Sequence, residues 1–219
     1  MSDKKTVILV AGYRGMGKDY ISQNGLSSYE IFFKPGVTKS KLNVLSCLGK
    51  VPIFKFADPL RNLLGPFMGL SPELIAQYDS IKDVHNKIPY NSCIRDYFIG
   101  IGAAVRAIDP DFFAKRTILA IEQCQENTVV VSDWRYPNEL KCMEERFNVV
   151  TVRVHRIIDA EENITSIPGP EVTSERSLDK VETDFFVFPR FNMTHLSSLF
   201  KQVEEVFPQY SKYSLFMSI

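Results

Sequence analysis

Residues 6–19 read TVILVAGYRGMGKD, and this stretch decides the fold. Its first six residues form an apolar run rich in β-branched side chains, which is typical of a strand buried on both faces of a parallel sheet. Gly12, Gly15 and Gly17 interrupt that run, and a segment of helical character begins at Lys18. The order of strand, glycine-rich turn and helix, with the spacing GxxxxGK, predicts a loop whose backbone N–H groups cradle phosphate.

The rest of the chain alternates apolar strands with helical stretches. Further strands are predicted at residues 51–56, 128–132, 149–154 and 184–188. Helices are predicted at 18–28, 60–68, 92–107 and 110–125, from Pro137 onward, and at 196–206. Residues 29–50 are expected to be mainly loop, and the polar residues 156–183 to form a mobile lid. The alternation predicts an α/β fold with an open parallel sheet of about five strands flanked by helices.

Composition and charge limit the classes of protein to which the chain can belong. Its 219 residues suit a single domain spanning 1–219, and its 26 basic and 26 acidic residues cancel. A neutral chain lacks the broad basic face that binds duplex nucleic acid. No apolar run approaches the roughly 20 residues of a membrane span, so no membrane partner is expected. Four scattered cysteines without a CxxC pair favour reduced thiols and a cytoplasmic location.

The glycine pattern separates this loop from its nearest alternatives. The dinucleotide-binding fingerprint is GxGxxG, whereas the glycines here fall as GxxGxG with a lysine directly after. The NKxD signature that reads guanine is also missing, which argues against a regulatory GTPase. Asp19 stands where most phosphate loops carry a Ser or Thr that binds magnesium. A carboxylate can hold Mg²⁺ directly or through its waters, so Asp19 is a candidate metal ligand.

Two further polar motifs follow predicted strands. The first, FADPLR at 56–61, places Asp58 and Arg61 where a second substrate with a phosphate group would bind, although Asp58 could instead cap the following helix. The second, VVVSDWRYPNE at 129–139, ends a buried strand in Asp133, the usual source of a magnesium-ordering carboxylate. Arg135 would neutralise charge on a transferring phosphoryl group. The alternative is an ordinary strand end with surface residues.

Other arginines extend this pattern. Arg95 and Arg106 are eleven residues apart, about three helical turns, and therefore share one face of a predicted helix. That face either lines an acceptor pocket or is simply solvated. Arg153, Arg156 and Arg176 flank or lie in the predicted lid, where an arginine could close over bound nucleotide or remain in solvent.

Taken in order, five motifs resemble those of a known family. They are GxxxxGKD at 12–19, FADPLR at 56–61, Arg95 with Gly102, Arg106 and DPDFF at 109–113, SDWRYPNE at 132–139, and TSERSLD at 173–179. This order is similar to that of phage- and large-virus-type deoxynucleoside monophosphate kinases. The resemblance covers the chain from about residue 6 to 205, with residues 29–50 matched least, and implies a fold of the P-loop kinase type. Animal-type phosphomevalonate kinases belong to the same superfamily and share the GKD loop.

The resemblance implies Mg²⁺-dependent transfer of the γ-phosphoryl group of ATP to a deoxynucleoside monophosphate. Matched by position, the ATP-binding residues are Gly12, Arg14, Gly15, Gly17, Lys18, Asp19 and Arg156, with Glu175 on the adenosine side. The implied acceptor residues are Asp58, Arg61, Arg95 and Arg106, in helices within about 57–116. The implied catalytic residues are Lys18, Asp133 and Arg135. The implied Mg²⁺ ligands are Asp19 and Asp133. A viral source would make the location host cytoplasm.

The chain departs from the family pattern at several positions. Tyr20 replaces a threonine that normally follows GKD, so a small hydroxyl near the phosphates is lost. Two alternatives therefore stay open: a small-molecule kinase of the phosphomevalonate type, and a catalytically weak nucleotide-binding protein. The apolar carboxyl end, which includes Tyr210 and Tyr213, suits either a homodimer contact or a docked tail.

Overall fold

A computed structural model describes residues 4–13, 15–71, 73, 94–155, 176–189 and 208–216. The chain divides into two compact units. One comprises the residues up to Lys55 together with those from Cys124 onward, and the other is Phe56–Gln123. The second unit coincides closely with the stretch in which the sequence places the acceptor-binding helices.

The first unit is built on a seven-stranded sheet with the order β3-β4-β1-β5-β6-β2-β7. The strands are β1 Thr6–Ala11, β2 Tyr29–Phe33, β3 Ile53–Phe54, β4 Thr128–Trp134, β5 Asn148–Val154, β6 Phe185–Pro189 and β7 Ser214–Phe216. The pairs β3–β4, β4–β1, β1–β5 and β5–β6 are parallel, whereas β2 runs antiparallel to both β6 and β7. The expected α/β class with an open sheet is confirmed, but the sheet is mixed and mostly parallel instead of wholly parallel, because β2 pairs antiparallel with two strands.

Six α-helices lie in the described part of the chain. They are α1 Lys18–Asn24, α2 Lys39–Leu45, α3 Asp58–Phe67, α4 Ile94–Ile108, α5 Phe112–Gln123 and α6 Pro137–Arg146. Helices α1, α2 and α6 contact the sheet of the first unit. In the second unit, α3 contacts both α4 and α5.

Both faces of the central strand β1 are buried. Ile8 and Val10 belong to a core cluster with Ile21 of α1 and Leu45 of α2. Val7 and its alternate neighbours point to the opposite face and are equally inaccessible to solvent. An apolar run with no polar alternation is therefore what this position in the sheet requires.

The sequence-based assignment is wrong in residues 29–50. Instead of loop, this region supplies β2 and α2, with Pro35 and Gly36 in the turn between them. The short β7, which pairs with β2, was also not predicted, and the sheet consequently has seven strands rather than about five. Strand β2 was missed because its apolar residues alternate only partly and no glycine or proline marks its start.

The remaining expectations are met unevenly. Within the described ranges, residues 176–183 of the predicted lid are packed and hydrogen-bonded, while the predicted helix at 196–206 lies outside those ranges. Cys47, Cys124 and Cys142 carry free thiols, as expected, and Cys93 lies outside the described residues. Among the helices that the structure describes, none has the length and apolarity needed to cross a membrane.

Candidate functional site

The loop between β1 and α1 is shaped by its glycines. Gly15 and Gly17 have φ values of 79° and 92°, in the left-handed region that other residues rarely adopt. A Cβ atom on Gly12 would lie only 2.5 Å from the carbonyl oxygen of Val154, at the end of the neighbouring strand β5. The loop therefore turns tightly beside the carboxyl ends of β1 and β5, where parallel sheets commonly bind ligands.

Lys18 folds back into this loop and does not extend into solvent. It is only 8% exposed, and its Nζ donates to the carbonyl oxygens of Gly12 at 2.6 Å and Tyr13 at 2.8 Å. The ammonium group is thus held on the inner side of a turn built from left-handed glycines. A positive charge in that position is suited to binding an anionic group such as a phosphate.

Asp19 connects the loop to the neighbouring strand β4. Its side chain is 54% exposed, and its Oδ1 lies 2.7 Å from Nζ of Lys55 and accepts from the hydroxyl of Ser132 at 3.3 Å. Asp133 follows Ser132 in β4, but consecutive side chains of a strand point to opposite faces of the sheet, so the contact of Ser132 does not place the Asp133 carboxylate beside Asp19. Lys55 and Ser132 were not singled out in the sequence, because neither residue type stands out at a strand end.

The residues present are compatible with magnesium bound jointly by protein and phosphate. Among the described residues no group of three or more His, Cys, Asp or Glu side chains could hold a metal ion. Mg²⁺, however, commonly uses only one or two protein carboxylates and completes its shell with water and phosphate oxygens. Asp19, half exposed beside the loop, offers such a ligand, and Lys55 is the cation that already pairs with it.

A buried glutamate organises the segment that follows β4. Oε2 of Glu139 accepts hydrogen bonds from the backbone N–H groups of Arg135 at 2.9 Å and Tyr136 at 3.0 Å. Trp134 is 1% exposed, and its Nε1 donates to the carbonyl of Tyr136 at 2.8 Å. Trp134 is therefore a packing residue. Glu139 therefore fixes the backbone that carries Arg135. The sequence did not reveal this role, because Glu139 lies four residues after Arg135 in the chain.

A second polar cluster adjoins the loop on its β5 side. It consists of Tyr13, Arg153, Arg176 and Asp179, and we refer to it as the Asp179 cluster. Oδ1 of Asp179 accepts from the hydroxyl of Tyr13 at 2.7 Å and from Nη2 of Arg153 at 3.0 Å, and Oδ2 accepts from Nε of Arg176 at 3.1 Å. Burial and the hydrogen bond to Asp179 raise the pKa of Tyr13 well above its usual value, so its hydroxyl stays protonated.

The predicted acceptor residues all belong to the second unit. Asp58 lies in the first turn of α3, where Nη1 of Arg61 is 3.3 Å from its Oδ1. The N-cap of α3 is Ala57, so Asp58 is not the capping residue. Arg95 and Arg106 lie on the single helix α4, as the spacing predicts, and the guanidinium of Arg106 stacks 4.6 Å from the ring centre of Phe113.

The loop residues Gly12, Gly15, Gly17, Lys18 and Asp19 belong to the same unit as Asp133 and Arg135, and the hydrogen bond between Ser132 and Asp19 joins the loop to β4. Arg14, Arg156 and Glu175 lie outside the described residues. Neither a protein-family model nor a curated protein matches this chain. The resemblance to viral nucleotide kinases accordingly depends on the five sequence motifs and on what the site itself can do.

Proposed function

We propose that this protein transfers the γ-phosphoryl group of ATP to a deoxynucleoside monophosphate, giving ADP and the deoxynucleoside diphosphate. The observation that carries the proposal is the position of Lys18, whose buried ammonium group lies inside a loop of left-handed glycines. The phosphate loop supports the ATP-binding half of the proposed reaction.

The proposed mechanism requires little covalent chemistry from the protein. The acceptor phosphate already carries a charged oxygen that can attack the γ-phosphorus, while the bond to the β-phosphate oxygen breaks and ADP leaves. Lys18 exchanges its two carbonyl partners for phosphate oxygens and offsets their charge. Arg135, on the backbone anchored by Glu139, adds a second positive charge.

The other assigned residues bind or orient. Asp19 and Asp133 would hold Mg²⁺, which when bound neutralises phosphate charge and aligns the donor. Asp58, Arg61, Arg95 and Arg106 are assigned to the acceptor through the family resemblance. An arginine suits this purpose because its planar fork donates two parallel hydrogen bonds to a phosphate.

One observation favours the weaker alternative, a protein that binds nucleotide with little turnover. Tyr20 is 54% exposed beside the loop, where the viral kinases carry a threonine. Its ring lies 6.4 Å from that of Tyr29, whose hydroxyl is close to Gly17. A bulky phenol thus stands where a small hydroxyl would otherwise reach the phosphates.

The test is an ADP-release assay with Mg-ATP and a panel of acceptors: each deoxynucleoside monophosphate, the matching ribonucleotides, and phosphomevalonate. Turnover on one or more deoxynucleotides is the expected result and would also identify the base. Turnover on phosphomevalonate alone would assign the chain to the related kinase. ATP binding without product from any acceptor would favour the weak binder and make Tyr20→Thr the next variant.

The central role of Lys18 gives a direct prediction. Lys18→Ala should lower turnover at least about 100-fold, since a preorganised charge on the transferring group is lost. Lys50→Ala, which removes an exposed lysine elsewhere in the same unit, should leave the rate unchanged. Retained turnover in the Lys18 variant would contradict the assignment of this loop.

A further inference from the structure

Arg153 is an unusual residue for its position. It lies in β5 among valines and threonine, next to the central strand, and its side chain is only 3% exposed. Burying an unpaired guanidinium is costly, so partners must come from elsewhere in the fold. They come from residues 176–179: Nη1 donates to the carbonyl of Leu178 at 2.7 Å, and Nη2 to Asp179.

The same carboxylate holds the second residue of the phosphate loop. Tyr13 is almost fully buried, and its hydroxyl donates to the oxygen of Asp179 that also accepts from Arg153. The guanidinium carbon of Arg153 lies 5.2 Å from the centre of the Tyr13 ring, within the range of a cation–π contact. Tyr13 is thus fixed both at its hydroxyl and across its ring.

The position of Asp179 does not depend on the loop alone. Ser177 donates its hydroxyl to the carbonyl of Arg135, and Nε2 of Gln209 donates to the carbonyl of Asp179 at 2.6 Å. Residues 176–179 are therefore anchored to the segment after β4 and to β5. Tyr13 is attached to a part of the protein that is already held in place.

From these contacts we propose that Arg153 and Asp179 are positioning residues that set the conformation of the phosphate loop through Tyr13. In the loop without ligand the link to Lys18 is short, because the carbonyl of Tyr13 accepts from Nζ of Lys18 at 2.8 Å. Fixing Tyr13 fixes both this carbonyl and the start of the turn that would surround the phosphates. The inference rests on the proposed nucleotide-binding function and adds residues that touch neither phosphate nor metal.

The test compares two tyrosines in the full-length protein. Tyr13→Phe removes the hydroxyl that bonds to Asp179 and keeps the ring beside Arg153. Tyr213→Phe is the matched control, because it removes another buried hydroxyl of the same unit, which donates to the carbonyl of Thr183. Both variants should lose stability, because each gives up one buried hydrogen bond, and Tyr13→Phe should lose more because its partner is a charged carboxylate.

Two measurements separate positioning from general stabilisation. Without nucleotide, amide exchange of residues 15–18 should speed up several-fold in Tyr13→Phe but not in Tyr213→Phe. With ligand, Tyr13→Phe should weaken ATP binding by up to about tenfold, because binding must then order a loop that Tyr13 no longer holds, and should leave adenosine binding unchanged. Asp179→Asn should act in the same direction and more strongly, since it also removes the charge that balances Arg153.

The outcomes distinguish the inference from the function on which it rests. Unchanged exchange and ATP affinity in Tyr13→Phe would overturn the positioning role, as would equal effects in Tyr213→Phe. If the wild-type protein binds no ATP, the proposed function fails, while the exchange comparison still decides whether the Asp179 cluster holds the loop. The result on Tyr13→Phe stands even if Asp179→Asn does not fold.

Discussion

His155, at the end of β5, is a buried imidazole that the fold keeps uncharged. Its ring packs between those of Tyr13 and Phe186, at centroid distances of 6.3 Å and 6.2 Å. Burial, and secondarily the positive charge of Arg153, lower its pKa from 6.5 to about 4. In the unfolded chain the same side chain regains its ordinary pKa, so folding and protonation are linked.

This linkage predicts how stability depends on pH. Between pH 6.5 and about pH 4, His155 is protonated in the unfolded chain and neutral in the folded protein. The free energy of unfolding should therefore fall by about 3 kcal/mol as the pH is lowered through this window, and should be unaffected above it. Urea unfolding at a series of pH values measures the effect. His155→Phe, which keeps an aromatic ring, should remove this contribution; an identical slope in the variant would refute it.

Gly12 gives a second prediction for a single residue. Gly12→Ala would bring a methyl group to within 2.5 Å of the Val154 carbonyl, which is backbone and cannot rotate away. We expect a loss of more than about 2 kcal/mol in unfolding free energy, together with weaker nucleotide binding. Gly36→Ala is the control, because Gly36 has a φ of 86° but open space around it, and should cost only about 1 kcal/mol. Equal losses in both variants would show that crowding at Gly12 is not the cause.

Single residues differ in how well the sequence predicts their roles. Lys18 and Asp19 follow a glycine spacing that few other structures need, so their place beside the sheet was predictable. The roles of Lys55 and Asp179 could not be found in this way, and Arg153, expected beside the lid, is instead buried in β5. Their roles depend on contacts across 26 to 166 residues of chain, which no local pattern records.

Among the secondary-structure elements, the start of α6 is the one most closely tied to the site. Glu139→Ala would leave the backbone N–H groups of Arg135 and Tyr136 without the carboxylate that accepts from both. We expect a loss of about 1–3 kcal/mol in unfolding free energy and a turnover defect larger than the change in ATP affinity, since Arg135 would lose its anchor. Glu139→Gln retains an acceptor oxygen and should recover part of both. Wild-type turnover in the alanine variant would exclude an influence on Arg135.

Long apolar elements were predicted well, and short or exposed ones poorly. Strands β4 and β5 are continuous apolar runs that require burial on two faces, and their positions agree with the sequence to within one or two residues. Strand β2 is antiparallel and lies near the edge of the sheet, where polar residues such as Glu30 are tolerated. Its pairing with β6 and β7, rather than its own composition, makes it a strand.

For the molecule as a whole, the single tryptophan provides a selective probe. Trp134 belongs to the unit that contains the phosphate loop, whereas far-UV circular dichroism reports on both units. Adding ATP at about 100 times its dissociation constant should stabilise the Trp134-detected transition by about 2.7 kcal/mol through mass action. Adenosine at the same concentration is the control: because it lacks the phosphates, it should stabilise this transition much less than ATP does. A transition that ATP does not move would contradict binding at this loop.

The division into two units was less visible in the sequence than the sheet itself. Residues 56–123 carry helical patterns like those elsewhere in the chain, and no linker of glycine or serine marks either end. The boundary is instead a matter of contacts, since α3 packs on α4 and α5. The fold class can be predicted from the local alternation of strands and helices. The division into two units cannot, because it depends on which helices contact each other.

The central place of β1 has a consequence for biosynthesis. Thr6 pairs with Thr128 on one side and with Asn148 on the other, so β1 leaves the ribosome before both of its partner strands and must wait for them. At translation rates of about 5–20 residues per second, this delay lasts on the order of ten seconds. Throughout that time a wholly apolar segment has no partner strand. Nascent chains should therefore be most vulnerable to aggregation, and most dependent on chaperones, until β4 and β5 have emerged.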